Sequence, residues 1–284
     1  MLSIIIPAKN EQAGLAGLLP RLELLYPEAE IIVVDDGSTD GTAAVCANHG
    51  VTRCSHPYSL GNGAAVKTGA RLARGEILVF MDADGQHVPD DIAALVAALE
   101  AGHEMAVGAR HPSSQAGWAR RLANGFYNRL ATWMTGHEIR DLTCGFRAVR
   151  AAPFREFLHL LPNGFSYPTT STMAFFRAGY PVAYVPIHAA ARQGSSHIRP
   201  VRDGLRFLLI IFRVGTLYSP LKLFLPFSIA HFVLGVGYYL FTYFTMGRFT
   251  NMSALLLTTA VVIFLIGLVS EQITMLLYQR RPPR

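Results

Sequence analysis

Two carboxylates, Asp82 and Asp84, close the apolar run of "EILVFMDADGQ" (76–86). Side chains two apart on an extended segment point the same way, so this pair can present its oxygens to a single divalent cation, directly or through water. Oxygen donors suit Mg2+ or Mn2+, ions that also take phosphate oxygens from a substrate. Gln86 can add a neutral oxygen. Simple solvation of a strand end would produce the same Asp-x-Asp pattern. Asp90 and Asp91 have a different context. They follow Pro89 and precede "IAALVAALE", where proline and acids favour the first turn of a helix beside the positive end of its dipole. A structural role is expected for them.

A second acidic strand end lies in "VVDDGSTDGT" (33–42). Asp35 and Asp36 stand where Gly37 permits a sharp turn, and Ser38 and Asp40 are helix-capping types. One carboxylate here can accept hydrogen bonds from a nucleobase, although a capped strand–helix turn would look the same. "GNGAAVKTGA" (61–70) opens a helix but matches neither the Lys-Ser/Thr phosphate loop nor a dinucleotide fingerprint. It reads better as a helix packed closely on a sheet, with Lys67 an open candidate for phosphate. Cys46, Cys54 and Cys144 lack metal-ligand spacing and read as reduced structural thiols.

These residues need a scaffold, and the pattern supplies one. Apolar runs at 3–8, 30–36, 75–84 and 104–110 read as buried strands, and the segments between them have helical spacing. Such alternation predicts an α/β fold with a mostly parallel sheet and helices on both faces. Ligands then sit beyond the carboxyl ends of the strands, where "PAKNE", "DDGSTDGT" and "DADGQ" converge. "NGFSYPTT" (163–170) reads either as a plain loop or as part of an acceptor entrance.

From Leu221 onward the chain changes character. Residues 221–246 and 253–278 are each long and apolar enough to cross a bilayer, and the short link between them makes a hairpin. Arg199, Arg202, Arg206 and Arg213 precede the first span, and Arg280, Arg281 and Arg284 follow the second. This distribution points to anionic lipid rather than nucleic acid as the partner of a chain with net charge +6. It also places both hairpin ends in the cytoplasm. No signal-peptide pattern precedes "LSIIIPAKN". Tyr238, Tyr239, Tyr243 and Phe249 suit an interfacial belt. Glu271 and His231 are ionisable groups inside the spans, with helix pairing or snorkelling as the plain reading of Glu271. Apolar and basic positions alternate over 199–213 as in an amphipathic interfacial helix; an ordinary domain-terminal helix has the same spacing. The expected organisation is a cytoplasmic domain over 1–198, an interfacial helix over 199–216 and a transmembrane hairpin over 217–284. A composition of 51% hydrophobic and 15% charged residues excludes a disordered chain.

"SIIIPAKNE", "VVDDGSTDGT", "GNGAAVKTGA", "DADGQ" and "DLTCGFR" follow one another in the order found in family-two glycosyltransferases of the GT-A fold. Over about residues 2–215 the chain resembles their polyprenyl-phosphate branch, which includes the dolichyl-phosphate mannose synthases. The resemblance implies that Pro7, Glu11, Val34 and Asp36 hold the donor nucleotide. It places Asp82, Ala83 and Asp84 at the metal and diphosphate, with Gln86 on the metal side. Arg110 falls near the transferred sugar and the acceptor phosphate, Arg120 and Asn124 where some members bind that phosphate, and Arg192 in a loop that closes over the donor. His197 stands where a lysine is usual and Lys9 where mannose synthases often have tyrosine, which leaves the sugar open.

Asp141, in "DLTCGFR", is implied as a catalytic carboxylate facing the acceptor. Read from chemistry alone it is a positioning group, with Arg147 its expected partner, or a base if the acceptor is a hydroxyl. The implied activity is inverting, Mg2+- or Mn2+-dependent transfer of a hexose from a GDP- or UDP-linked donor to a polyprenyl phosphate. The alternatives are another lipid acceptor or a non-catalytic sugar-nucleotide binding protein. A homo-oligomer is compatible with the pattern but not required by it.

Overall fold

The computed structural model describes residues 1–110, 118–164, 166–187, 212 and 215–278, and no side chains of residues 118–124. It divides into two compact units, Met1–Ile198 and Arg199–Arg284.

The first unit is built on a seven-stranded sheet in the order β3-β2-β1-β4-β6-β5-β7. Its strands are β1 (Leu2–Ala8), β2 (Glu30–Asp35), β3 (Thr52–Ser55), β4 (Ile77–Phe80), β5 (Met105–Arg110), β6 (Arg147–Arg150) and β7 (Val182–Ile187). The centre of the sheet is apolar on both sides, as a helix-covered parallel sheet requires. Ile4, Ile5, Ile6, Val33, Val34, Leu78, Val79 and Phe80 are completely buried. The helices are α1 (Gln12–Leu25), α2 (Thr42–Ala47), α3 (Asn62–Leu72), α4 (Asp91–Glu100), α5 (Trp118–Thr135), α6 (Ala151–Glu156) and α7 (Tyr167–Arg177).

Two features of this topology position the site. The chain runs outward from β1 to β2 and β3, then returns to the other side of β1 with β4. Strand order therefore reverses at the carboxyl ends of β1 and β4, the place where open α/β sheets bind ligands. In addition, β6 lies antiparallel between β4 and β5. Its amino end therefore shares the rim with the carboxyl ends of the parallel strands, and the lead-in segment Asp141–Phe146 arrives there.

The strand expected over 75–84 stops at Phe80. Met81 still donates its N–H to Ile5 O, after which residues 83–84 form a turn. Asp82 and Asp84 are thus joined by a turn instead of sharing one face of a strand. "NGFSYPTT" contributes the start of α7. Tyr167 to Thr172 are buried there, so they belong to the core and not to an open loop. The "GNGAAVKTGA" segment packs closely, as expected: a Cβ on Gly69 would overlap the Ile5 side chain.

The second unit is a helical hairpin, α8 (Pro220–Met246) and α9 (Asn251–Tyr278). Both helices are long and apolar enough to cross a membrane. Small and polar residues line their contact. Ser228 Oγ donates to Ala260 O at 2.8 Å, and Gly235 meets Leu257. Glu271 accepts the Leu221 N–H at 3.3 Å, which satisfies one of the donors left without a partner in the first turn of α8 and bears out the pairing reading. Tyr239 sits against both Tyr243 and Phe249 near the link. The interfacial helix expected over 199–216 falls almost wholly outside the described residues.

Candidate active site

The loops after β1 and β2 are laced together. Asn10 Oδ1 accepts the Thr39 N–H and Ser38 Oγ accepts the Asn10 N–H. Asp40 accepts N–H groups at the start of both α1 (Gln12) and α2 (Thr42). Ser38 therefore ties the two loops instead of capping α2, while Asp40 serves two helix starts. This lacing fixes Pro7 and Glu11 relative to Val34, Asp35 and Asp36.

Asp36 is engaged on every side. His56 Nδ1 lies 2.7 Å from its carboxylate, and Ser59 Oγ, Leu60 N–H and Gly61 N–H donate to it at 2.7 to 2.9 Å. Burial works against its charge, but these hydrogen bonds outweigh burial and hold its pKa at about 2. The carboxylate expected to read a nucleobase thus organises the 56–61 loop. Lys67 is committed too: its ammonium donates to Leu161 O and Asn163 Oδ1, so it secures a neighbouring loop.

At the end of β4, Asp82 and Asp84 are partly buried. Burial raises the pKa of Asp82 above the ordinary carboxylate range and the charge of Asp84 adds to the rise, against opposition from His87, Arg110 and Arg147. Gln86 contributes its backbone N–H to Asp84 Oδ1 at 3.1 Å. His87, which sequence reasoning passed over, accepts the Asp82 N–H through Nδ1 at 3.3 Å and stacks on Phe146 at 4.8 Å. Burial keeps its ring neutral, as an Nδ1 acceptor requires. Two glycines make room for this turn. A Cβ on Gly14 would overlap the Ala83 carbonyl, and one on Gly145 would lie 3.0 Å from Asp82 Oδ2.

Two carboxylates with hard oxygen donors, the pKa of Asp82 raised by burial, fit a divalent cation, whose charge would relieve the cost of ionising Asp82. Among the described residues no group of three or more His, Cys, Asp or Glu is placed to hold a metal. The described residues therefore fill only part of the coordination sphere. The rest falls to water and diphosphate oxygens, as Mg2+ prefers.

Across the rim, Arg110 at the end of β5 meets Asp141 in a two-pronged ion pair. Nε lies 2.7 Å from Oδ2 and Nη2 3.0 Å from Oδ1. Arg110 Nη2 also donates to Thr143 Oγ1 at 2.8 Å. Asp141 accepts further hydrogen bonds from the N–H groups of Thr143 and Cys144, both 3.1 Å. It is 4% exposed, and its lone pairs are occupied. Burial disfavours the Arg110 charge, but Asp141 more than restores it and keeps the guanidinium ionised.

Asp141 does not pair with Arg147. Arg147 is completely buried beneath the site. It donates to Pro168 O, Ser171 Oγ and Thr172 Oγ1 at 2.8 to 3.1 Å and to Cys144 O. Tyr167 supports the same segment, donating to Gly145 O at 3.2 Å. The cause of the altered pairing is strand direction. In antiparallel β6, Arg147 faces α7 while the preceding loop carries Asp141 to β5. Arg192 and His197 lie outside the described residues. Arg120 and Asn124 lie in the first half of α5, where side chains are not described.

Asp90 and Asp91 stand apart from this rim. Asp91 begins α4, and Asp90 forms an exposed ion pair with Arg21 at 2.8 Å. That matches the structural role expected of them.

Residues 3–158 match the family model "Glycosyl transferase family 2", and residues 219–276 match "GtrB C-terminal hairpin". The second match, on two helices of spanning length, marks the hairpin as a membrane anchor. Polyprenol monophosphomannose synthase from Mycolicibacterium smegmatis is 33% identical over 209 residues, covering 67% of this chain and 77% of that protein. Among solved structures, glucosyl-3-phosphoglycerate synthase from Mycobacterium tuberculosis with phosphoglyceric acid aligns with a TM-score of 0.61 at 20% identity, over 75% of this chain and 79% of that one. The same enzyme with Mn2+ and UDP-glucose gives 0.61 at 21%, over 76% and 78%. At that identity the likeness establishes the GT-A architecture alone. Motif order, sheet topology and family match agree, and the chain belongs to glycosyl transferase family 2: it is a glycosyltransferase.

Proposed function

We propose that the protein transfers a hexose from a nucleoside-diphosphate sugar to a membrane polyprenyl phosphate, with inversion at the anomeric carbon. The observation that carries this reading is the state of Asp141. Its oxygens are taken by Arg110, Thr143 and Cys144, so it is badly placed to remove a proton from a hydroxyl. An acceptor used here must arrive already ionised. A phosphate monoester does so, since its second pKa lies near 6. The mycobacterial relative, a polyprenol monophosphomannose synthase at 33% identity, supports the same acceptor class.

Arg110 then binds the acceptor phosphate or the charge that forms as the donor diphosphate departs, and Asp141 keeps its guanidinium aimed. Pro7, Glu11, Val34 and Ala83 shape the donor nucleotide pocket, and Asp36 contributes by holding the 56–61 loop. Asp82, Asp84 and Gln86 would hold Mg2+ or Mn2+. When bound, the cation would neutralise charge on the leaving diphosphate. The mycobacterial synthase crystallised with Mn2+ and UDP-glucose supports a divalent cation here. Arg192 covers the donor in this reading, and Arg120 and Asn124 meet the acceptor phosphate. In this reading the catalytic unit and both hairpin ends lie in the cytoplasm, which the arginines flanking the hairpin support.

The test is acceptor competition. Protein in vesicles with radiolabelled sugar nucleotide should label polyprenyl phosphate and leave both polyprenol and diacylglycerol unlabelled. Labelling of either alcohol at a comparable rate would overturn the reading.

A further inference from the structure

His87 takes no part in the transfer chemistry described above, yet it is buried at the rim, 7% exposed. A buried imidazole must satisfy its polar edge, and the chain beside it presents the partner. Strand β4 ends at Phe80. Met81 N–H still reaches Ile5 O, but the next N–H, that of Asp82, has left the strand ladder. His87 Nδ1 accepts it at 3.3 Å. This contact closes residues 82–87 into a loop, and Asp82, Asp84 and Gln86 all lie within it.

The loop is braced from within and from outside. Gly85 takes a left-handed conformation, φ +71°, at the reversal, and Asp84 Oδ1 accepts the Gln86 N–H at 3.1 Å. The His87 ring stacks on Phe146 with 4.8 Å between centroids and 16° between planes. Phe146 is completely buried and directly precedes β6, so the ring rests on the close-packed core. His87 is not a further metal ligand in this arrangement. Its Nδ1 lone pair is directed at the Asp82 N–H, and a neutral imidazole that accepts through Nδ1 carries its proton on Nε2. Neither nitrogen then offers a lone pair to a cation.

We propose that His87 is a positioning residue for the metal site: its Nδ1, clasping the Asp82 N–H, holds Asp82, Asp84 and Gln86 in the arrangement that receives a divalent cation. This rests on the metal site of the transferase reading and names the residue that orders it. A loop closed in advance binds without a further ordering cost, and the partners that orient metal ligands are worth about 10- to 100-fold in metal affinity. A histidine that only filled the core would lower the thermal midpoint when replaced and leave the metal affinity of the folded protein alone.

The experiment titrates Mn2+ alone into the full chain in detergent, with free Mn2+ read by electron paramagnetic resonance. No sugar donor or acceptor is present, so the result is separate from the question of the acceptor. His87→Phe keeps a ring against Phe146 and loses the acceptor nitrogen. It should weaken Mn2+ binding about tenfold or more. His87→Asn keeps a side-chain acceptor oxygen close to the Nδ1 position and should recover most of the lost affinity. If His87→Phe does not fold, His87→Leu replaces it with the same expected loss. Unchanged Mn2+ affinity in the variant without an acceptor would overturn the proposal. So would an asparagine variant as weak as the phenylalanine one, because the acceptor would then not be what matters. In transfer assays His87→Phe should need more Mn2+ but approach the wild-type kcat once Mn2+ saturates. A loss of kcat that Mn2+ cannot restore, with Mn2+ affinity unchanged, would make His87 a substrate contact and contradict the positioning role. Failure of the wild type to bind Mn2+ would remove the metal site and this proposal with it, while the acceptor class would still be decided by the competition assay.

Discussion

Single residues decide how charge is handled in this site. If Asp141 positions Arg110, Asp141→Asn should lower kcat/KM by about a hundredfold, because a weakened ion pair lets the guanidinium wander. The shape of the pH–rate profile should survive, since no proton is removed by that group. Loss of an acidic limb in the variant would make Asp141 a base. Asp82 gives an opposite pattern. Its raised pKa comes from burial first and from Asp84, so its charge destabilises the metal-free fold at neutral pH. Protonation relieves that cost as pH falls through the raised value. Asp82→Asn should therefore raise the thermal midpoint of the metal-free protein while erasing the upward shift caused by Mn2+. Asp36 has the reverse sign. Its pKa is lowered to about 2, so its contribution is present above the ordinary value of about 4 and fades as pH falls toward the lowered one. Asp36→Ala should cost about 2 kcal/mol at pH 7, less at pH 3, as read by chemical denaturation of the detergent-solubilised protein.

At the scale of elements, steric fit at the rim matters as much as the named carboxylates. Gly14 lies in the first turn of α1 and leaves space for the Ala83 carbonyl. Gly14→Ala should displace the Asp82–Asp84 turn and weaken Mn2+ binding at least tenfold by calorimetry, although alanine is the better helix former. Unchanged binding would show that the turn tolerates the shift. The same scale shows what the sequence made legible. Strands β1, β2 and β4 were readable because their Ile, Leu and Val runs are largely buried and so carry the strongest signal, and β5 was readable from its buried Met105, Ala106 and Val107. Strand β3, "TRCS", is a polar edge. Strand β7, "VAYVPI", contains Pro186, which argues against an inner strand. Strand β6, "RAVR", includes a fully buried arginine, which reads as surface in any sequence. Because β6 was missed, its antiparallel insertion was missed as well. That insertion decides that Asp141 meets Arg110 and not Arg147. His87 could have been noticed beside "DADGQ", but its partner, the backbone of Asp82, has no sequence signature.

For the whole molecule, the chemistry and the anchor serve one purpose. A soluble sugar nucleotide must meet a phosphate whose hydrocarbon chain never leaves the bilayer, so the transferase must be held at the membrane. Half of the sequence's residues are hydrophobic, and the two hairpin helices account for its long exposed apolar stretches. The division of "DADGQHVPDD" between site and helix start should be visible in whole-protein activity. Asp84→Ala should abolish transfer, while Asp91→Ala should retain it with a small loss of stability. The measurement that tests the central claim most directly is the mass of the lipid product. Purified protein is incubated with Mn2+, polyprenyl phosphate and a panel of GDP- and UDP-hexoses, with Asp84→Ala as control. The account predicts a new lipid heavier than the polyprenyl phosphate by one hexose residue, formed from at least one donor and absent with Asp84→Ala. Free hexose as the sole product, or the same lipid product from Asp84→Ala, would contradict it.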